Sequence, residues 1–371
     1  MILILWSIAL QLLLSGWFVE RGFSQPAPAG LQSDWEATLQ AARKEEQVVL
    51  YGSHVYGDVF KVFEKRYPEI KVTHVALHGG PTGQRIMSER RAGKYLADLF
   101  LSGISTGYNV LYKARVLDPI KPALVLPEVV DQSKWWKGKH KYMDDEGNHL
   151  FAFNESVVPF VIYNTKLVDR KEFKSYWDLL QPKWKGKLVI LDPKMGSSVD
   201  THLEFVYFNP GLGEKFLRRL LGEMDPGVSR DAWQMVDWLA TGKYAMSLFI
   251  TPSRADLNVA QGQGLPVEWF PPGTFSEGVP TSGINGNVGL LNRAPHPNAA
   301  KVAINWLLSR EGQAIYQKLH FGAESLRVDI PKDDVPAFAR RVEGVNYVSA
   351  DGKTQGDMAP VRKLVNEVWK K

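Results

Sequence analysis

Cysteine is absent from all 371 residues. That excludes disulfides, thiolate metal sites, a cysteine nucleophile and a lipid-bearing cysteine behind an export signal. A chain of this length can still bury enough surface to hold together by packing alone. Long runs of one charge are missing too. Arg90-Arg91 and Lys370-Lys371 are local pairs, and the net charge of +5 is spread over 45 basic and 40 acidic residues. Such a mildly basic surface is not the concentrated cationic face that nucleic acid requires, so nucleic acid is not an expected partner. No G-x-x-x-x-G-K-[ST] stretch occurs, which removes the phosphate-cradling loop of nucleotide hydrolases. The glycine-rich run 283–289 enters an apolar stretch instead of leaving one, against a dinucleotide turn. Internal repeats and low-complexity segments are not found either.

What remains is ordinary globular composition, 44% hydrophobic and 23% charged, over a length that suits two domains. The N-terminus is distinctive. Ile2 to Val19 carries no charge, as in a secretory signal or a short membrane anchor. Gly22 and Ser24 place small residues before a cut ahead of Gln25, so residues 1–24 are expected to be a signal peptide and 25–33 a mature tail. The lack of Lys or Arg ahead of the apolar run keeps the anchor open. Either way the rest of the chain is expected outside the cytoplasmic membrane, in the periplasm.

From Ser33 onward helix and strand signals alternate. Ser33 and Glu36 have capping-box spacing, and Trp35, Leu39 and Ala42 share a helical face. Gln47–Tyr51, the alternating Ile70, Val72, His74 and Ala76, and Ala97–Leu101 read as strands, each closed by small residues. Helices between them make successive βαβ units of a parallel sheet. The grammar repeats with strands at Phe160–Tyr163, Leu188–Leu191 and Tyr244–Ile250. Helices capped by Ser175 and Ser229 accompany them, the latter turning Trp233, Val236 and Leu239 inward. A late strand, Val288–Leu291, precedes a helix from Pro297, and Val361, Leu364, Val365 and Val368 have helical spacing at the end. Two α/β blocks result. Asn154-Glu155-Ser156 suits the outward crossing between them, and the Gly/Ser/Asn-rich run 278–287 suits the return.

In parallel sheets ligands sit beyond the carboxyl ends of the strands. The candidates there are Ser53, His54, Gly80, Thr82, Gly103, Ser105, Ser197, Ser198, Thr251 and Ser253, with Asn154 and Asn285 at the crossings. They supply hydroxyls, small residues and helix N-termini, which favour negative charge. One enzyme signature competes: Gly103-Ile104-Ser105-Thr106-Gly107 matches the G-x-S-x-G of a serine esterase, with His296 or His320 as the later base. His74 and His78 are four apart, but on a strand their side chains need not converge on a metal. No activated nucleophile or tuned acid–base pair is otherwise visible, so binding without chemistry is the expectation, with no cofactor.

Val48–Ser53 (VVLYGS), Ile162–Thr165 (IYNT), Trp177–Pro193 (WDLLQPKWKGKLVILDP), Val236–Ala245 (VDWLATGKYA) and Ala294–Gly312 (APHPNAAKVAINWLLSREG) together resemble the extracellular solute-binding proteins of bacterial ABC importers, type II, including the ferric-iron-binding class. The resemblance implies a two-lobed α/β fold with a ligand cleft between lobes. Lobe 1 would be 34–154 with 282–371 and lobe 2 155–281, with hinge crossings near 151–162 and 278–291. It also implies a monomer that delivers a small solute to an inner-membrane permease. Ferric members are similar in using a His after the first strand, an acidic residue after the third and adjacent tyrosines in the second lobe. His54 occupies the first place, as the one candidate metal ligand. Gly103-Ile104 and Thr251-Pro252-Ser253 stand in the other two, where a hard cation finds no carboxylate or phenolate. A small or organic anion is therefore expected, with iron(III) or a ferric chelate as the alternative. Trp233, Tyr108 or Phe153 would form an aromatic wall for an organic part.

Overall fold

The computed structural model describes residues 29–196, 198–251, 257–282, 285–320, 323–349 and 358–370. The expected signal or anchor at 1–24 lies outside them. None of the described helices is long and apolar enough to cross a membrane. From residue 29 the expected tail is helix: Ala29–Glu45 begins before Ser33, whose hydroxyl donates to the Gly30 carbonyl at 2.8 Å inside the first turns. The capping-box reading of Ser33 is therefore corrected, because Ala29 to Gln32 carry no helix breaker strong enough to delay the start.

Six strands follow, β1 Gln47–Gly52, β2 Lys71–Ala76, β3 Leu99–Ser102, β4 Leu117–Asp118, β5 Lys141–Tyr142 and β6 Leu150–Ala152. The chain then crosses through β7 Ser156–Val157. It builds β8 Val161–Asn164, β9 Leu188–Leu191, β10 Gly227–Ser229, β11 Met246–Leu248 and β12 Val267–Trp269. It returns through β13 Val279–Ser282 to β14 Asn287–Leu291, and β15 Tyr347–Ser349 comes last. These make a seven-stranded sheet in the order β2-β1-β3-β14-β6-β5 with β4 on β14, a five-stranded sheet β10-β9-β11-β8-β12, and a three-stranded sheet β15-β13-β7 at the crossings.

Burial follows position. Leu50 of β1 and Leu101 of β3, central and parallel, are fully buried, while the edge strand β2 alternates. The parallel registers of β1 with β2 and β3 bring their carboxyl ends to one edge, and β9, β10 and β11 do the same in the second sheet. The strands at this edge lie close together. A Cβ on Gly52 would meet the Leu101 carbonyl oxygen at 2.1 Å, so only glycine fits there. Gly286 is pressed as tightly, its would-be Cβ 2.0 Å from the Asn154 carbonyl oxygen, where the two crossings touch.

Two hydrophobic cores result. The first holds Phe60, Phe100, Phe151 and Trp306. The second holds Leu188, Ile190, Leu217 and Met246, together with Val361, Leu364 and Val365 of the terminal helix Ala359–Val368 and Trp369 just after it. Assigning 282–371 to the first lobe is thus corrected at its end. The chain passes over the crossing as β15 and buries its last apolar face against helix Gly213–Gly222 and its neighbours. Two helix starts also differ. Ser175 does cap residues Tyr176–Leu180 in a capping box with Asp178. Ser229 instead ends β10, and Asp231 caps Ala232–Ala240 by accepting from the Trp233 and Gln234 amides.

Candidate functional site

The loop after β1 places Ser53 and His54. The Ser53 amide donates to the Leu101 carbonyl at 3.0 Å; the side chain is fully buried and its hydroxyl meets no partner among the described residues. His54 turns outward, and its Nδ1 stands 2.8 Å from Nε2 of His78, with ring centroids 4.8 Å apart. The sequence pairing of His74 with His78 does not form. His74 faces Gly57 from β2, half-buried, and burial holds its pKa down. His78 lies past the strand end and reaches the first loop instead.

Helix Gly80–Arg91 starts at the same edge from Gly79, whose φ of +50° suits glycine and which offers no side-chain cap. Thr82 in its first turn is fully buried with an unpartnered hydroxyl. Its neighbour Gly83 packs against the Thr106 methyl group, 2.9 Å from where a Cβ would stand. That contact ties this helix to the turn after β3, where Gly103 is extended and Ser105 is exposed. The structure thus brings Ser53, His54, Gly80, Thr82, Gly103 and Ser105 to one edge.

Asn154 and Asn285 serve the crossings. Asn154 is buried and donates from Nδ2 to the Glu324 carbonyl at 2.7 Å, which occupies it structurally. The Asn285 carbonyl accepts from the hydroxyls of Tyr56 and Tyr316, two stacked buried phenols whose pKa values burial raises. Of the proposed aromatic wall, only Trp233 is open, at 42% exposure, so it does not turn inward as its helical spacing suggested. Tyr108 is buried, its hydroxyl on Asp145, and Phe153 packs fully buried against Tyr316. Both belong to the first core.

At the second sheet Ser197 and Ser253 lie outside the described residues. Of Ser198 only its place at the start of helix Ser198–Phe208 is described. Thr251 is buried and follows Phe249, whose φ of +70° is strained for a bulky side chain. Two arginines that the sequence reading missed dominate this edge. Arg230 Nε lies 2.9 Å from Asp192 Oδ2, and Arg362 Nη2 lies 2.5 Å from Asp200 Oδ2 beside Gly196. Arg362 comes from the terminal helix, 162 residues away in the chain, and no local signal marks it.

The chemistry open to this arrangement is narrow. Among the described residues no three His, Cys, Asp or Glu side chains are grouped to hold a metal ion. The esterase constellation is also unassembled. His296 Nδ1 is 2.9 Å from Asp98, which precedes β3, whereas Ser105 follows it; four strand residues at about 3.3 Å each separate them. His320 packs on Tyr316. A cavity of about 600 Å³ lined by Phe205, Phe208 and Thr281 lies beside helix Ser198–Phe208 and β13 and touches none of the first-sheet loops.

Comparison with known proteins places this arrangement. The profile of the bacterial extracellular solute-binding proteins matches residues 36–314. A ferric-binding protein of Bordetella has a TM-score of 0.66 at 18% identity, covering 87% of this chain and 98% of that one. A Trichodesmium protein in complex with iron and citrate has a TM-score of 0.65 at 20% identity, with coverage of 87% and 100%. A periplasmic binding protein of Actinobacillus pleuropneumoniae with bound fructose-6-phosphate has a TM-score of 0.52 at 20% identity, covering 87% and 98%. At these identities the structures show the fold, that of two-lobed type II binding proteins. The serine hydrolase reading finds no support in them. With its profile match spanning well over half the sequence, the chain belongs to the bacterial extracellular solute-binding proteins, the solute-capturing components of ABC importers.

Proposed function

We propose that the solute is a small anion or organic anion, held in the cleft between the two strand edges and released unaltered to an inner-membrane permease. The observation that carries this is the state of the carboxylates. Asp192 and Asp200 each sit in an ion pair with an arginine, and the first edge offers imidazoles, hydroxyls and a helix N-terminus instead. Hydroxyl and amide donors with nearby arginines suit an anion, whereas Fe³⁺ needs free carboxylate or phenolate oxygens. Ser53, His54, Gly80, Thr82, Gly103 and Ser105 form the first wall in this reading, and Thr251, Ser253, Ser197 and Ser198 the second. The lobes are 34–154 with 282–349, and 155–281 with the terminal helix, hinged near 151–162 and 278–291. Closure around the solute gives the permease its signal, since a ligand shifts the equilibrium only by its preference for the closed state. The protein works as a periplasmic monomer.

Thermal-shift measurement against phosphate, phosphonates, carboxylates, ferric salts and polyamines tests it. A solute at 100 times its Kd adds about 2.7 kcal/mol of stability. Stabilisation by anions is expected. Stabilisation by ferric salt alone, lost in His54→Ala, overturns the anion assignment.

A further inference from the structure

A second polar cavity lies where β5 meets the crossing and β15. It encloses about 340 Å³, within the range that holds small ligands, and none of the strand-end residues lines it. Four basic side chains, Lys137, Lys139, Lys141 and Arg341, line it together with one carboxylate, Glu155. Glu155 is already neutralised. Lys141 Nζ is 2.5 Å from its Oε1, Arg341 is 3.7 Å from its Oε2, and the Ser349 hydroxyl donates to it. Arg341 also pairs with Glu324 at 2.8 Å. Lys137 and Lys139 are left over: both are exposed, and neither has an ion-pair partner among the described residues. In their turn Lys137 sits at φ +58°, a left-handed conformation uncommon for a residue with a side chain, before Gly138 at +65°, where glycine is at ease.

Trp136, Tyr142, Tyr347, His140 and Leu326 complete the lining. Trp136 meets Tyr347 edge-on at 6.4 Å, and Lys121 covers the ring of Tyr142 at 4.9 Å. The Tyr142 hydroxyl is buried without a partner, and burial raises its pKa, so it remains a donor. A second groove of about 600 Å³ adjoins the cavity through Trp136 and Lys137. Uncommitted cations and aromatic walls around one cavity are the parts of a recognition site for a charged planar molecule.

We propose that this cavity is a second binding site, for a small organic anion whose carboxylate, sulfonate or phosphate meets Lys137 and Lys139 and whose flat body lies against Trp136 and Tyr142. The test is a fluorescence titration of the full protein with anilinonaphthalene sulfonate. Saturable binding of one equivalent is expected, competed by benzoate and only weakly by inorganic phosphate, which lacks the flat body. Trp136→Ala and the exposed, fold-neutral Lys139→Glu each weaken it about tenfold. His54→Ala leaves it unchanged. Absence of saturable binding, or native affinity in both Trp136→Ala and Lys139→Glu, overturns the site. Equal competition by phosphate overturns its aromatic half. Loss of binding in His54→Ala also overturns it, placing the probe at the strand ends and leaving the transport reading intact.

Discussion

The carboxyl-end strand edges of the two sheets are built from opposite materials. The first presents a histidine pair, His54 with His78, beside the buried hydroxyls of Ser53 and Thr82, and Asp58 nearby is paired with Lys61. The second presents carboxylates, but Arg230 and Arg362 hold both of them. The acid at one edge is already paired, and the other brings its own counter-cations. The lesson is that local composition misleads about charge at a site. Asp192 and Asp200 read as acidic in the sequence, yet their neighbourhood in the fold is closer to neutral or basic.

The largest expected effect tests what fastens the outward crossing between the two edges. Arg341, 2% exposed at its side chain, ties Glu155 of the outward crossing to Glu324, which follows helix Arg310–Leu319. Arg341→Met strands the buried Glu324 and leaves Glu155 with Lys141 and Ser349, and should cost about 3–5 kcal/mol in urea denaturation. A loss under 1 kcal/mol would mean the crossing does not depend on it.

The second lobe has its own titration. His202 is fully buried against Phe160 and Phe249, and burial lowers its pKa to about 3. A base with a depressed folded pKa protonates first in the unfolded chain. Its contribution is complete above about pH 6.5 and falls by about 1.4 kcal/mol per pH unit below that, until the folded pKa is reached. His202→Phe should flatten that slope between pH 6.5 and 5, read from denaturation midpoints. An unaltered slope would assign the acid sensitivity to other groups.

Smaller effects separate the edges as binding surfaces. His54→Ala and His78→Ala should each weaken the stabilising anion about tenfold, roughly 1.4 kcal/mol, and the double variant little more, because the two rings act as one unit. Additive losses would show two independent contacts. Arg230, at 76% side-chain exposure, contributes little to stability: Arg230→Ala should cost about 0.5 kcal/mol or less while still reducing anion affinity. Ser105→Ala should weaken the anion by about threefold or less, as the loss of one exposed hydroxyl donor, and should not affect ester hydrolysis, which is expected to be absent throughout; loss of a measurable esterase activity would revive the enzyme reading.

Much of the fold was legible because it is local. Leu188–Leu191 and the helix from Pro297 appear where apolar runs and a helix-starting proline put them. Short strands such as β4, β5, β10 and β12, two or three residues each, carry too little pattern to be read. The candidate site was legible only by position. Strand ends were found, but Asn154 and Asn285 proved to be fastened into the crossing, and Tyr108 and Phe153 into the core.

The sequence by itself determined the alternation of elements, the absence of thiol chemistry and the small polar residues closing each strand, because each depends on neighbours a few positions away. Only the tertiary structure decided that His78 and not His74 meets His54, that a terminal helix joins the second core, and that Arg362 crosses 162 residues to reach Asp200. Those pairings follow from strand order and from which apolar faces still lacked cover. Periodicity along the chain does not encode either.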